Sequence, residues 1–385
     1  MALCSLKSCK GSVTADTGKV EVRAFQVTAA ERKTLQAEWD ESGDAIFHRH
    51  CWSDLVDAAK KTSAGKNNLS ELEVKLVKEA KKTAEFHDSD TFIKDEAKRI
   101  AKMLQQAKYP IFFTGAGIST AAGISDFRGK DGKWTVRDKA KEHGAKASKG
   151  RRQYSIMELR PTYTHEAIVK LLEMGMFKYV ISQNTDGLHR LSGIPPEQIS
   201  ELHGNGFIQK CEKCKTRYDV NRSHRAMTMG EIMKVPPMKC ERCHISHRTG
   251  RVCPNKACGG YLMNTIINFG DYLESPILDS AEENAKNADI VFCLGSTLMV
   301  SPANSLVEMG KKPIRLVICN RQGTPYDDYC NKVDENGRPV GSRIHGDCDK
   351  LMKAVMFEIL GEEELKKWEA GRDRRMTEYD KKREE

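Results

Sequence analysis

A chain of 385 residues, 39% apolar and 30% charged, has room for one large domain with extensions or for two to three modest ones around a buried core. No run approaches the roughly eighteen apolar residues of a membrane span, and the opening MALCSLKSCK lacks the apolar stretch of a secretory signal, so an intracellular protein without a membrane is expected. The net charge of +9 favours acidic partners such as nucleic acid or chromatin, and thirteen cysteines in a reducing compartment point to zinc rather than disulfides.

In chain order, residues 1–90 are polar and lysine-rich with no sustained strand pattern, and EVKLVKEAKKTAEF predicts a surface helix. Within this extension Cys4-x4-Cys9 and His48-x2-Cys51 either form a Cys3His zinc site across a long loop or are unrelated. From Asp95 the texture changes: DEAKRIAKMLQQA has helical spacing and leads into the apolar run IFF, which ends at Thr114-Gly115. YVISQN (179–184), ADIVFCLGS (288–296) and IRLVICN (314–320) predict further strands, with THEAIVKLLEMG and LDSAEENAKNA as helices between them. The alternation predicts an α/β fold, a parallel sheet with helices on both faces, with ligands beyond the carboxyl ends of the strands. Residues 139–152 predict a mobile loop, and the charge-mixed tail beyond Gly361 predicts a solvated helix or disorder. The domain reading is an extension over 1–90, a core over 91–360 and a tail over 361–385.

The stretch TGAGISTAAGISDFRG (114–129) places Gly115 and Gly117 after a strand, where a pyrophosphate can approach N–H groups at a helix starting near Ser119. The third glycine of a dinucleotide fingerprint would fall at Thr120, and no second strand ending in an acid follows, so a hydride-transferring enzyme is disfavoured. Gln183 to His189 is dense in groups that bind ribose or amides, and His203, in ELHGNG, titrates near neutrality and can take a proton from a ribose hydroxyl. Cys211-x2-Cys214 and Cys253-x4-Cys258 have the spacing of a closed tetrahedral zinc site, which holds structure and performs no chemistry. Cys240-x2-Cys243, followed by His244 and His247, is either a pair of reduced surface thiols or a second site.

GAGISTAAGISDFRG, QNTDGLH, His203-Gly204, the cysteine pairs, INFGD (267–271), LGST (294–297), ICN (318–320) and HGDCD (345–349) occur in the order of the sirtuin core, which the chain resembles over about residues 95–360. AKYPIFFTGAGIST, GKWT, LHRLSGIP, TGRVC and ICNRQGTPYDD resemble the class IV branch, the nuclear sirtuins six and seven, with seven the nearer. The resemblance implies a Rossmann-like domain that binds NAD as a consumed co-substrate, a structural zinc module (about 207–266) and an acyl-lysine cleft between them. It implies that an acyl oxygen attacks the ribose carbon, nicotinamide leaves, and the acyl group departs as O-acyl-ADP-ribose. By position His203 becomes the general base, with Asn184, Asp186 and Asp126 at the nicotinamide and Gln183 at the ribose. Gly115, Ala116, Gly117, Phe127 and Arg128 then shape the phosphate and ribose loop. Gly295, Ser296, Asn320 and Cys348 hold the phosphates, far ribose and adenine, and Phe269 and Gly270 border the substrate strand. The implied partner is an acyl-lysine protein, a histone first, with nucleosome or nucleic-acid contact through basic segments and a location in the nucleus and also the cytoplasm. Protein mono-ADP-ribosyl transfer and a zinc-stabilised chromatin scaffold are the alternatives.

Overall fold

The computed structural model describes residues 2–63, 69–143, 158–219, 235–335, 337 and 339–384. The N-terminal segment is more than a polar extension. A short hairpin, Ala2–Leu3 (β1) with Ser12–Val13 (β2), precedes a three-stranded antiparallel sheet of Lys19–Arg23 (β3), Asp44–Phe47 (β4) and Glu85–His87 (β5), in the order β4-β3-β5. Val20, Val22, Ala45 and Phe47 alternate inward and meet Trp52 of the helix Arg49–Ser63 and Leu76 of the helix Glu71–Lys81 in one core. The expectation of no strands fails because these strands are three to five residues long and lie among charged neighbours. The expected surface helix also buries Val74, Leu76, Val77 and Ala80, and its last residues become β5.

The central sheet is parallel and six-stranded. Its strands are Pro110–Thr114 (β6), Tyr179–Ser182 (β7), Ile199–Glu201 (β8), Ile290–Leu294 (β13), Arg315–Cys319 (β14) and Ser342–Ile344 (β15), in the order β15-β14-β13-β6-β7-β8. Every residue of β6, β7 and β13 is buried, as strands covered on both faces require. Alternation splits them between two cores: Phe112 and Phe292 pack with Ile100, Ile168 and Val355 on one face, while Phe113, Ile181 and Cys293 pack with Ala285 and Leu306 on the other. The chain runs outward from β6 through β7 to β8, then returns to build β13, β14 and β15 on the opposite side. The direction therefore reverses between β6 and β13, which is where a doubly wound sheet opens a crevice.

Ile208–Cys211 (β9), Arg217–Asp219 (β10), Arg248–Val252 (β11) and Tyr261–Asn264 (β12) form a separate antiparallel sheet, ordered β10-β9-β12-β11, around Cys211, Cys253, Cys258 and Leu262. The glycine loop continues as a 3-10 helix over Ala116–Ala122, not as an α-helix from Ser119. Lys133–His143 is helical where the start of a mobile loop is expected, and residues 144–152 of that loop lie outside the described residues. The tail is helical and docked: the buried Glu166 carboxylate accepts from Arg372 Nε at 2.9 Å and Arg375 Nε at 3.0 Å. Among the described residues no helix is long and apolar enough to cross a membrane.

Two imidazoles, His165 and His189, are buried. His165 bonds the Thr162 hydroxyl through Nδ1 at 2.8 Å, and His189 Nε2 lies 2.9 Å from the Thr114 hydroxyl. Burial pushes both down to about 3. In the unfolded chain the same rings protonate near pH 6.5, so acid pulls the equilibrium toward the unfolded state. Stability should fall by up to about 1.4 kcal/mol per pH unit for each ring between pH 6.5 and 3. Urea midpoints across that range measure it, and His165→Gln should flatten the slope.

Candidate active site

Two turns at the switch point interlock. Gly115 N donates to Leu294 O at 2.9 Å and Gly117 N to Gly295 O at 2.8 Å, which ties the loop after β6 to the loop after β13. No side chain fits between them: a Cβ on Gly117 would lie 2.6 Å from Gly295 Cα, and one on Gly295, at φ +66°, would lie 2.4 Å from Ile118 N. The glycines of the motif thus serve close backbone approach as well as ligand access. Beside them opens a cavity of about 350 Å³, bounded by Gly117, Thr120 and Asp126 of the loop and by Asp347, Cys348, Asp349 and Lys350 at the start of the helix Cys348–Ala370.

Ser119 organises the nearby polar groups. Its hydroxyl donates to Asp186 Oδ2 at 2.7 Å and accepts from Asn184 Nδ2 at 3.3 Å, so the two residues predicted at the nicotinamide share one anchor. Asp186 Oδ1 also accepts from Leu188 N at 2.9 Å. Gln183 leaves β7 with its N–H on Thr114 O, and its Oε1 accepts from the Ser296 hydroxyl at 2.8 Å. Its buried Nε2 has no partner among the described residues, which suits a site built to receive a polar ligand.

His203 follows β8. Its Nδ1 lies 3.1 Å from Gln183 O, and a carbonyl only accepts, so Nδ1 carries the proton and Nε2 keeps its lone pair. Burial lowers the pKa of this imidazole, while the carbonyl bond opposes the shift, so the ring is neutral at pH 7. Gly204, at φ +80°, holds the loop against β12's exit, where a Cβ would strike Thr265 O. His203 O accepts from Ile267 N at 3.0 Å, so His203 and the INFGD segment share a hydrogen bond.

Aromatic contacts bridge the two sides. Phe127 packs on Trp134 with centroids 5.1 Å apart, Trp134 on Phe269 at 5.3 Å, and Arg128 lies over Trp134 at 4.9 Å. Phe269 remains 74% exposed, and Gly270 follows it at φ +95°. Asn320 is buried and bonds Gln322 O at 3.0 Å, whereas Cys348 directs its thiol to Cys319 O at 3.7 Å. Of the residues predicted to bind a dinucleotide, Gly117, Asp126 and Cys348 line the cavity itself. Gly115, Gln183, Asn184, Asp186, Gly295 and Ser296 form the hydrogen-bonded rim just described, with Ala116 inside the 3-10 turn.

Sequence reasoning missed Glu85. This residue of β5 is 3% exposed and lines the cavity from the N-terminal module. Its carboxylate accepts from Lys130 N at 3.0 Å and faces Arg321 Nη1 at 3.2 Å, joining the glycine-loop side to the segment after β14. Burial raises its pKa against the pull of Arg321. Nothing in a lysine-rich extension marks it.

The four cysteines of the small sheet converge: Cys211 and Cys258 sulfurs are 3.6 Å apart, and those of Cys214 and Cys253 are 3.8 Å apart. A zinc tetrahedron with bonds of about 2.3 Å has sulfur edges of about 3.8 Å, so the set fits that ion. Two further cysteine-containing groups converge, Cys4, Cys9, His48 and Cys51, and Cys240, Cys243, His247 and Asp271, and Glu21, Glu85 and His87 form a third group without cysteine. His244, one of two histidines expected with the third pair, stays out, and Asp271 takes its place.

The Sir2 family model matches residues 115–302. Similar curated proteins include the NAD-dependent protein deacetylase SRT1 of Arabidopsis thaliana, 38% identical over 71% of this chain and 51% of that protein. They also include NAD-dependent protein deacetylase sirtuin-7 of Homo sapiens, 36% identical over 88% of this chain and 75% of that protein. Sirt6 of Drosophila melanogaster is 36% identical over 71% of this chain and 80% of its own length. The chain matches about half the length of the plant relatives and 62% of bovine sirtuin-7. A solved Sir2 chain, described as Sir2-p53 peptide-NAD+, aligns over 68% of this chain and 97% of its own at 26% identity, with a TM-score of 0.47. Identity spread over three quarters or more of two relatives, across the elements that carry the glycine turns and His203, means that the chain belongs to the Sir2 family, the sirtuins.

Proposed function

We propose that the chain is an NAD-dependent protein-lysine deacylase that consumes NAD and yields nicotinamide and an O-acyl-ADP-ribose. The observation that carries the reading is the tautomer of His203: with Nδ1 committed to Gln183 O, Nε2 is a free base at neutral pH at the edge of a dinucleotide crevice. Bound NAD supplies an activated ribose carbon and a hydroxyl whose proton must be removed. The N–H groups of Gly115, Gly117 and Gly295 are spent on carbonyls, so these interlocked turns, with Ala116 and Ser296, serve the phosphates by their bare backbone surface, which lets a pyrophosphate approach closely. Asn184, Asp186 and Asp126 orient the nicotinamide end, Gln183 offers its unpartnered Nε2 to the ribose, and Asn320 and Cys348 take the adenosine end. Phe127 and Arg128 close over this loop with Trp134, and Phe269 and Gly270 border an acyl-lysine strand. Positioning and shielding of the reacting carbon, plus one base, meet the needs of the reaction. The Cys211, Cys214, Cys253 and Cys258 set holds zinc for structure alone, since four thiolates leave no open position.

The net charge of +9 favours the anionic nucleic acid of chromatin as a neighbour, which would bring histones and other chromatin proteins within reach as substrates and supports a nuclear location. NAD labelled in its adenine tests the reaction. With an acetyl-lysine peptide the label should leave as a small acylated product; label retained on protein would establish mono-ADP-ribosyl transfer instead. Glu85 gives a second check. Glu85→Gln keeps an acceptor for Lys130 N but removes the charge facing Arg321, so the KM for NAD should rise about three- to tenfold with kcat little changed.

A further inference from the structure

The segment inserted between the two halves of the cysteine site carries a cysteine pair of its own, Cys240 and Cys243. Cys211-x2-Cys214 turns so that Lys215 N donates to Cys211 O at 3.1 Å, with Lys215 at φ +62°. Cys240-x2-Cys243 repeats that turn: His244 N donates to Cys240 O at 3.0 Å, with His244 at φ +59°. Left-handed backbone is strained for a residue with a side chain, and only three such non-glycine residues occur among the described residues. Two of the three follow a Cys-x2-Cys pair, so the same metal-binding turn is built twice.

The other two ligands are oriented for it. His247 Nδ1 lies 3.3 Å from Asn264 Oδ1, and that oxygen is identified because it also accepts from Ile266 N at 3.1 Å while Asn264 Nδ2 donates to His247 O. The proton therefore sits on Nδ1, and the Nε2 lone pair points at Cys243 Sγ, 3.3 Å away, and at Asp271 Oδ2, 3.4 Å away. Cys240 Sγ lies 3.2 Å from Asp271 Oδ1. A zinc tetrahedron has mixed sulfur, nitrogen and oxygen edges of about 3.3–3.6 Å, so these separations match to within a few tenths.

We propose that Cys240, Cys243, His247 and Asp271 bind a second zinc ion, releasing two thiol protons, and that this ion fixes the substrate-side turn. Asp271 also closes that turn: its Oδ2 accepts from Asn268 N at 2.9 Å and its N–H donates to Asn268 O at 3.0 Å, with Phe269 and Gly270 between. The effect on substrate rests on the deacylase reading above; the metal site does not.

The N-terminal module holds an independent cluster of the same kind. Cys4 and Cys9 bracket the β1–β2 turn, His48 follows β4, and Cys51 opens the helix Arg49–Ser63. His48 Nε2 lies 3.1 Å from Ser12 O and so bears the proton, leaving Nδ1 facing Cys9 Sγ at 3.6 Å and Cys51 Sγ at 3.9 Å. Cys4, His48 and Cys51 are buried and all four ligand atoms lie within 4.8 Å of one another. We infer a third zinc ion, in a Cys3His tetrahedron, which ties the hairpin to the module that presents Glu85.

Zinc content of the full-length chain tests both without turnover. Three zinc ions per chain are expected, with Cys240→Ser/Cys243→Ser and Cys9→Ser each losing one; unchanged content in either variant overturns the corresponding proposal. Where a variant fails to fold, alkylation of the wild-type chain replaces it. Zinc should slow iodoacetamide labelling of Cys240, Cys243 and Cys9 at least tenfold, and equal rates with and without zinc overturn the assignment. The Cys240→Ser/Cys243→Ser chain should also raise the acetyl-peptide KM at least fivefold with NAD affinity unchanged. Loss of zinc with an unchanged peptide KM removes the role in the substrate turn and leaves the metal site.

Discussion

His203→Ala should lower deacylation by about 10²- to 10⁴-fold while leaving NAD binding within about twofold of the parent. The reason is geometric: the imidazole spends Nδ1 on Gln183 O and offers only Nε2 to a substrate hydroxyl. Its pKa is lowered by burial, so the protonated, inactive form accumulates only below the ordinary histidine value near 6.5. The acid limb of kcat/KM should therefore lie below pH 6.5, and it should vanish in the residual activity of His203→Ala. Full activity in the variant, or an acid limb above 6.5, contradicts the assignment.

Gly295→Ala should be nearly as damaging, through a different route. The new methyl group meets Ile118 N at 2.4 Å and Gly117 C at 2.7 Å, and the backbone sits at φ +66°. Left-handed backbone costs a residue with a side chain about 1–2 kcal/mol, and forced separation of packed atoms costs about 1–3 kcal/mol more. The separation falls on the Gly117 N–Gly295 O bond, which holds together the two turns proposed to lie against the phosphates. Calorimetric titration should show NAD affinity reduced at least about tenfold, since each factor of ten is about 1.4 kcal/mol. An unchanged dissociation constant would mean that the turns can part without affecting the site.

The parts of the fold legible in the sequence are those with a strong local signal. β6, β7, β13 and β14 stand out as apolar runs ending in small or polar residues, and parallel burial on both faces produces that texture. β8 and β15, at three residues each, carry too little pattern to be separated from loop. The N-terminal sheet was hidden for the same reason, because KVEVR and DAIF alternate over too few residues to outweigh the surrounding lysines. At the candidate site, His203, Asn184 and Asp186 stand out in the sequence as candidates because each follows a strand end. Glu85 and Asp271 were not: one reaches the cavity through a separate module, and the other becomes a candidate ligand only when the turn 268–271 brings it to Cys240 and His247. Spacing along the chain identifies ligands within one turn, as in Cys-x2-Cys, but not those that tertiary packing supplies.

The central claim is that NAD is consumed in step with removal of an acyl group, with His203 as the base. The most direct measurement follows three quantities in one reaction of the full-length chain with an acetyl-lysine peptide and NAD: nicotinamide released, acetyl groups lost and O-acetyl-ADP-ribose formed. The account predicts equal amounts of all three, each abolished together in His203→Ala. Acetyl loss without nicotinamide, or nicotinamide release that continues unchanged in His203→Ala, would contradict it.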